Sequence, residues 1–101
     1  LTVGEDDTGY DVKLFGATSG SYMLWDESAD SLLLTDSTPI KIGDGSDLQI
    51  YHDGTNSYIK NNTGDLIIQG ASGGTLDLRL HSDAGEDSSG SAGALFRAGG
   101  Q

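Results

Sequence analysis

The chain has 101 residues, of which 16 are acidic and 5 are basic, giving a formal net charge of −11, and it contains no cysteine. This length allows at most one ordinary domain, and the absence of cysteine excludes a disulfide framework. The basic residues stand apart from one another, so the sequence shows neither a nucleic-acid-binding stripe nor a polybasic membrane-binding segment. No apolar run approaches the roughly 20 residues that span a bilayer.

Short runs in which apolar and polar residues alternate predict β-strands. In chain order they are YDVKLFG from Tyr10, SYMLW from Ser21, DLQIYH from Asp47, SYIKN from Ser57 and TLDLRLH from Thr75. Two continuously apolar runs, residues 32–34 and 66–68, predict strands that are covered on both faces. No stretch sustains a helical period, so the sequence predicts an all-β fold.

Turn signals separate these runs. The sharpest is HDGT at residues 52–55, because Asp-Gly between two alternating runs favours a primed hairpin turn and hence an antiparallel pair. Residues 62–65, NTGD, predict a second turn before the apolar run 66–68. Residues 47–70 are therefore predicted to form a three-stranded meander.

An earlier segment repeats this plan. When Asp11 is laid on Asp47, the two segments match at an offset of 36 residues, with the third strands offset by 34 or 35. The predicted organisation is a first β-meander repeat at 1–36 and a second at 37–70. An extra strand or truncated third repeat follows at 71–81, and a Gly/Ser-rich tail or linker at 82–101.

A single meander of this kind has one apolar face and is marginally stable alone. Three copies around a threefold axis would bury that face, so the sequence favours an intertwined homotrimeric fibre segment of short antiparallel strands. A β-prism, an interleaved triple β-spiral and a sandwich all accept such strands. The residues expected at the trimer interface or core are Leu14, Phe15, Ile50, Tyr51, Ile59 and Ile67.

The sequences of two stretches resemble those of a known class of protein. GEDDTGYDVKLFGATSGSYMLWDESADSLLL and the later IGDGSDLQIYHDGTNSYIKNNTGDLIIQ resemble the repeat modules of tail-fibre and other structural proteins of bacteriophages, especially marine and cyanobacterial phages. The resemblance covers about residues 2–70. It implies a trimeric, elongated virion component that acts at or near host attachment and contacts other virion proteins, and it does not imply an enzyme.

Several aspartates and two histidines have the chemistry of metal ligands. Asp44, Asp47 and Asp53 carry hard oxygen atoms of the kind that calcium prefers, but their spacing matches no EF-hand loop and solvated turns are favoured. His52 and His81 could gather around a trimer axis as metal ligands, although histidines at strand ends are commonly just solvated. No catalytic set or phosphate-binding loop is present. We therefore predict no metal, no cofactor and no enzyme.

Two other functions stay open. Tyr22, Trp25 and Tyr58 could form an aromatic platform for a host surface glycan, although at strand spacing such residues more often belong to a core. The tail 82–101 carries one apolar pair, Leu95 and Phe96, and could add to the sheet edge of a neighbour. The chain would then be a carbohydrate-binding module or an extracellular filament subunit.

Overall fold

The structure, a computed structural model, describes residues 1–79 and consists of two three-stranded antiparallel sheets. Sheet 1 contains β1 (Val12–Phe15), β2 (Tyr22–Asp26) and β3 (Ser31–Leu34) in that order, and sheet 2 contains β4 (Ile40–Ile42), β5 (Leu48–His52) and β6 (Ser57–Asn61). The described residues contain no helix, and so none that could cross a membrane. The predicted all-β fold is confirmed.

The chain divides into two units, 1–66 and 67–101, and both sheets belong to the first. In the second unit the described residues include a turn at residues 71–74, in which the Gly74 N–H donates to the Ala71 carbonyl at 2.8 Å. The Arg79 guanidinium and the Asp77 carboxylate form an exposed ion pair at 2.9 Å. The predicted tail and its Leu95–Phe96 pair lie outside the described residues.

The β1–β2 hairpin of sheet 1 and the β5–β6 hairpin of sheet 2 have the same strand register. In β1 and β2, Val12 pairs with Trp25 and Phe15 pairs with Tyr22. In β5 and β6, Leu48 pairs with Asn61 and Tyr51 pairs with Tyr58, and each of these residues lies 36 positions after its counterpart. The offset read from the sequence is therefore reproduced residue by residue in the hydrogen-bonded ladders.

Turns upstream of each hairpin also correspond. Gly4 and Asp7 have φ values of 83° and 72°, and Gly43 and Ser46, each 39 residues later, have values of 98° and 56°. The β5–β6 turn has a positive φ of 100° at Gly54, its first central residue, and none at Thr55, and the Asp53 N–H donates to the Asn56 carbonyl at 3.0 Å. A positive φ at the first central residue is a feature of hairpin turns that match strand twist. The hairpin that HDGT predicts is confirmed.

The third strand of the second meander was predicted wrongly. Residues 66–68 form no strand, and sheet 2 is completed by β4, which precedes the hairpin and pairs with β5. The Asn62–Asp65 connection has a positive φ only at its second central residue, Gly64 (74°), and turns of that kind splay the flanking segments. Residues 75–79, also predicted as a strand, lie in no ladder of the described chain.

The segment between the sheets is held by a small polar network. Thr35 accepts a hydrogen bond from the Tyr22 N–H at 3.0 Å, and its hydroxyl lies 2.9 Å from that of Thr38. The Ser37 N–H donates to the His52 carbonyl at 2.7 Å. These bonds tie the end of sheet 1 to the turn end of β5.

No side chain in residues 1–79 is fully buried. Three-stranded sheets with one apolar face need a covering layer for independent stability. The apolar surfaces that lack such a layer are therefore the candidate sites of association.

Candidate functional site

One face of sheet 1 is formed entirely by apolar side chains. Residues paired across an antiparallel ladder point to the same face, and neighbours along a strand point to opposite faces. The register places one row across the sheet at Val12, Trp25 and Leu32, and a second row at Leu14, Met23 and Leu34. We call these six residues the apolar face of sheet 1.

Sheet 2 carries a corresponding surface. Its first row is Ile40, Ile50 and Ile59, and its second is Ile42, Leu48 and Asn61. We call the five Ile and Leu residues the apolar face of sheet 2. In each row of sheet 2, the residues from β5 and β6 lie 36 positions after the residues from β1 and β2 in one row of sheet 1. The repeat therefore preserves a surface as well as a strand register.

Both apolar faces are open to solvent. Leu14 is 55% exposed, Leu32 56% and Ile59 64%, and Trp25, Ile40, Ile42 and Ile50 are each 40–50% exposed. Contiguous apolar surface of this kind is rare on monomeric soluble proteins and marks sites of association. The arrangement can therefore bury a second apolar surface.

The opposite faces combine aromatic rings with lysines. In sheet 1, Lys13 Nζ lies 4.0 Å from the ring centroid of Tyr22 and 4.9 Å from that of Phe15, within cation–π range. In sheet 2, the rings of Tyr51 and Tyr58 stack with centroids 4.9 Å apart and planes 21° apart. We call these surfaces the aromatic faces.

The six residues expected at an interface divide among three places. Leu14, Ile50 and Ile59 lie on the apolar faces, whereas Phe15 and Tyr51 lie on the aromatic faces. Ile67 lies outside the strands and is 71% exposed. Neighbouring residues of a strand point to opposite faces, so Leu14 and Phe15 in β1, like Ile50 and Tyr51 in β5, cannot belong to the same surface.

The three residues proposed for a glycan platform do not share a surface. Tyr22 and Trp25 are three positions apart in β2 and therefore point to opposite faces of sheet 1. Tyr58 belongs to β6 in sheet 2. A platform of these three rings is not assembled by the strands.

The candidate calcium ligands are likewise spread out. Asp44 and Asp47 precede β5 and Asp53 follows it, so the six residue steps from Asp47 to Asp53 separate them by about 20 Å. Among residues 1–79 no group of three or more metal-ligating side chains comes together.

Asp53 instead organises its own turn. Its Oδ1 accepts hydrogen bonds from the Asn56 N–H at 2.7 Å and the Thr55 N–H at 2.8 Å, and its Oδ2 accepts one from the Tyr58 hydroxyl at 3.2 Å. The Asn56 and Thr55 N–H groups, together with that hydroxyl, hold the pKa of the Asp53 carboxyl below its ordinary value. The side chain is a turn-forming group.

His52 also has a local role. Its Nδ1 lies 2.9 Å from the Ser57 hydroxyl across the last pair of the β5–β6 ladder. His81 lies outside the described residues, so the alternative in which the two histidines gather around a trimer axis as metal ligands is not tested.

Two features were missed at the level of sequence. Ile40 and Ile42 belong to the apolar face of sheet 2, and the signal for them was the alternation Ile-Lys-Ile directly after Pro39. An open depression beside Trp25 is lined by carboxylates from two turns that are distant in sequence, including Glu5, Asp7, Glu27 and Asp30.

Comparison with known proteins returned no match to a protein-family model, to a curated protein or to a solved structure. The resemblance to phage fibre modules therefore stays a prediction, and the functional argument rests on the geometry of the two sheets.

Proposed function

We propose that this chain is a non-catalytic structural module that assembles with copies of itself, as a homotrimeric segment of a phage tail fibre. The exposed apolar faces of both sheets carry the proposal. In this role the module lies outside the host cell on the virion, contacts other virion proteins and supports host attachment mechanically.

The energetic argument concerns the missing core. A Leu or Ile side chain gains about 1.5–3 kcal/mol when it is fully buried, and the eleven residues of the two apolar faces realise only part of this in the single chain. Packing the faces of several copies together recovers the remainder without any change in strand pairing. Small chains without disulfides commonly use oligomerisation in this way.

The distribution of charge favours a closed assembly over aggregation. The apolar faces contain no charged residue, whereas acidic residues occupy the turns at the strand ends, including Asp6, Asp7, Asp44 and Asp53. With a net charge of −11 per chain, copies repel one another except where the apolar faces meet. A threefold arrangement turns every apolar face toward a common axis and leaves the acidic turns in water.

The test is the mass of the 101-residue chain in solution, measured by light scattering over a range of concentrations. We expect three times the 10.5 kDa chain mass. A chain that stays monomeric and folded at all concentrations contradicts the proposal.

A matched pair of variants then locates the interface. Ile50→Glu places a charge on the apolar face of sheet 2, and we expect it to shift the mass to that of a monomer because an unpaired charge is costly to bury. Gln49→Glu places the same charge on the opposite face at the neighbouring position of β5, and it should keep the trimer. Loss of the trimer in both variants would point to general destabilisation.

A further inference from the structure

The free edge of β6 lies where the repeat places another strand. In sheet 1, β2 is central and pairs with β1 on one side and β3 on the other. The counterpart of β2 is β6, which within residues 1–79 pairs with β5 alone. In sequence, the counterpart of β3 is residues 66–68, because Leu32-Leu33-Leu34 matches Leu66-Ile67-Ile68 at an offset of 34. Asp30 and Gly64, two residues before these runs, both have positive φ, 51° and 74°.

The turn after β6 differs from the turn after β2. Four residues, 27–30, connect β2 to β3, and the Asp26 carboxylate accepts hydrogen bonds from the Ser28 hydroxyl and the Ala29 N–H inside that turn. The matching connection after Asn62 contains only Thr63 and Gly64 before Asp65. Its positive φ falls on the second central residue, whereas hairpins of this length need it on the first or on both. This geometry does not form a hairpin, and residues 66–68 form no strand.

We propose that residues 66–68 of a second copy of this chain pair with the free edge of β6 as an antiparallel strand. This inference rests on the self-assembly proposed above and names the contact that links the copies. Transferring the β2–β3 register by 36 and 34 residues pairs Ile59 with Ile68, Lys60 with Ile67 and Asn61 with Leu66. A strand of three residues suffices in this fold, since β4 has that length.

The side chains of the incoming segment suit the site. In the transferred register, Leu66 and Ile68 extend the apolar face of sheet 2, as Leu32 and Leu34 do in sheet 1. In the single chain Leu66 and Ile68 are 47% and 63% exposed. The exchange satisfies the unpaired backbone groups of the β6 edge, which otherwise invite non-specific pairing. Each copy gives one strand and receives one, a head-to-tail contact that forms a ring when the rotation between copies closes and a filament when it does not. The threefold assembly proposed above requires the ring.

Cysteine cross-linking tests the pairing directly, because the chain has no cysteine of its own. A Lys60→Cys chain is mixed with a mass-tagged Ile67→Cys chain. The two are unfolded and refolded together, and the refolded mixture is oxidised. Paired residues in a ladder have Cα atoms about 4.5–5.5 Å apart, within the range of a disulfide. We expect the mixed disulfide as the main product. Lys60→Cys with Ile68→Cys is the control, and we expect a several-fold lower yield because neighbouring residues point to opposite faces.

The outcomes separate this inference from the proposed assembly when the solution mass is measured on the same samples. A trimer without the mixed disulfide overturns strand exchange and leaves the self-assembly intact. A monomer overturns both. Equal yields from the two cysteine pairs overturn the register. If a Lys60→Cys/Ile67→Cys double variant closes only within one chain, residues 66–68 cover their own β6 edge and a second copy is not the donor.

Discussion

At the scale of single residues, Asp53 shows how one carboxylate sets a hairpin. Its Oδ1 accepts hydrogen bonds from two backbone N–H groups of the turn, which would otherwise bond to water. Its Oδ2 accepts a hydrogen bond from the hydroxyl of Tyr58, the aromatic residue of β6. Gly54 next to it supplies the positive φ of 100° that a side chain would resist. In the β5–β6 turn, Asp53 thus supplies the hydrogen-bond acceptor and Gly54 supplies the positive φ.

This arrangement predicts a pH dependence of stability. The Asn56 and Thr55 N–H groups lower the pKa of Asp53 in the folded chain, whereas an unfolded aspartate titrates near pH 3.9. Its stabilising contribution is therefore fully present above about pH 4 and is lost as the pH falls through the lower, folded pKa. We expect Asp53→Ala to lower the unfolding midpoint at pH 7 and to differ less from the unsubstituted chain at pH 2.

Thermal or urea unfolding between pH 7 and pH 2 measures this difference. Asp44→Ala is the control, because it removes a carboxylate from another acidic turn and so changes the net charge equally. A difference between Asp53→Ala and the unsubstituted chain that stays constant over the whole pH range would exclude the carboxylate as its source.

At the scale of elements, the repeated unit is a hairpin with an aromatic pair at its turn end. Phe15 and Tyr22 occupy this position in sheet 1, with ring centroids 6.2 Å apart and planes tilted by 58°, and Tyr51 and Tyr58 occupy it in sheet 2. Both geometries fall within the range preferred by aromatic pairs. The pair is the last of the ladder before the turn in sheet 1 and the last but one in sheet 2, so its ring contact supports the strand register close to the turn.

A double-mutant cycle on Tyr51 and Tyr58 measures this contribution. We expect the two Leu substitutions to be coupled by about 0.5–1.5 kcal/mol, because the stacked rings gain energy beyond the area they bury. Urea unfolding at one fixed protein concentration supplies the four free energies, since assembly makes stability depend on concentration. The control cycle combines Tyr51 with Tyr10, which lies outside the strands, and it should show no coupling. Equal coupling in both cycles would argue against a specific pair.

The elements also show what the sequence could predict. Alternation located β1, β2, β5 and β6, and the apolar run 32–34 located β3, because half-exposed strands and tight turns depend on local chemistry. The expectation that this run is covered on both faces was wrong, since Leu32 and Leu33 point to opposite faces of β3 and are 56% and 46% exposed. Which segment forms the third strand of each sheet depends on the backbone geometry of the turn beside it. The apolar run 66–68 has the composition of a strand, yet the turn with positive φ at Gly64 does not form a hairpin and the run belongs to no strand. The three residues Ile40, Lys41 and Ile42 were too short a signal, and they pair with β5. The candidate site was partly predicted for the same reason, since Leu14, Ile50 and Ile59 follow from alternation within the strands.

At the scale of the whole molecule, the described part of the chain has well-formed ladders and no buried side chain. Hydrogen bonds alone add little net stability, because folding exchanges them for bonds to water. The described residues therefore realise only part of the hydrophobic stabilisation that their apolar side chains offer. In the proposed trimer the core belongs to the assembly, so folding and association are coupled and the isolated chain is the less stable form.

Trp25 reports on this coupling, because it is the only tryptophan of the chain and lies on the apolar face of sheet 1 at 41% exposure. We expect its fluorescence to move to shorter wavelength as the protein concentration rises through the range in which the trimer forms, since burial removes water from the indole. Ile50→Glu should keep the longer-wavelength emission at every concentration, and Gln49→Glu should behave like the unsubstituted chain. A titration with host surface glycan distinguishes the alternative function. An indole buried against other copies does not respond to sugar, whereas quenching by glycan at constant mass would show that Trp25 is a binding surface and that its face is not covered by assembly.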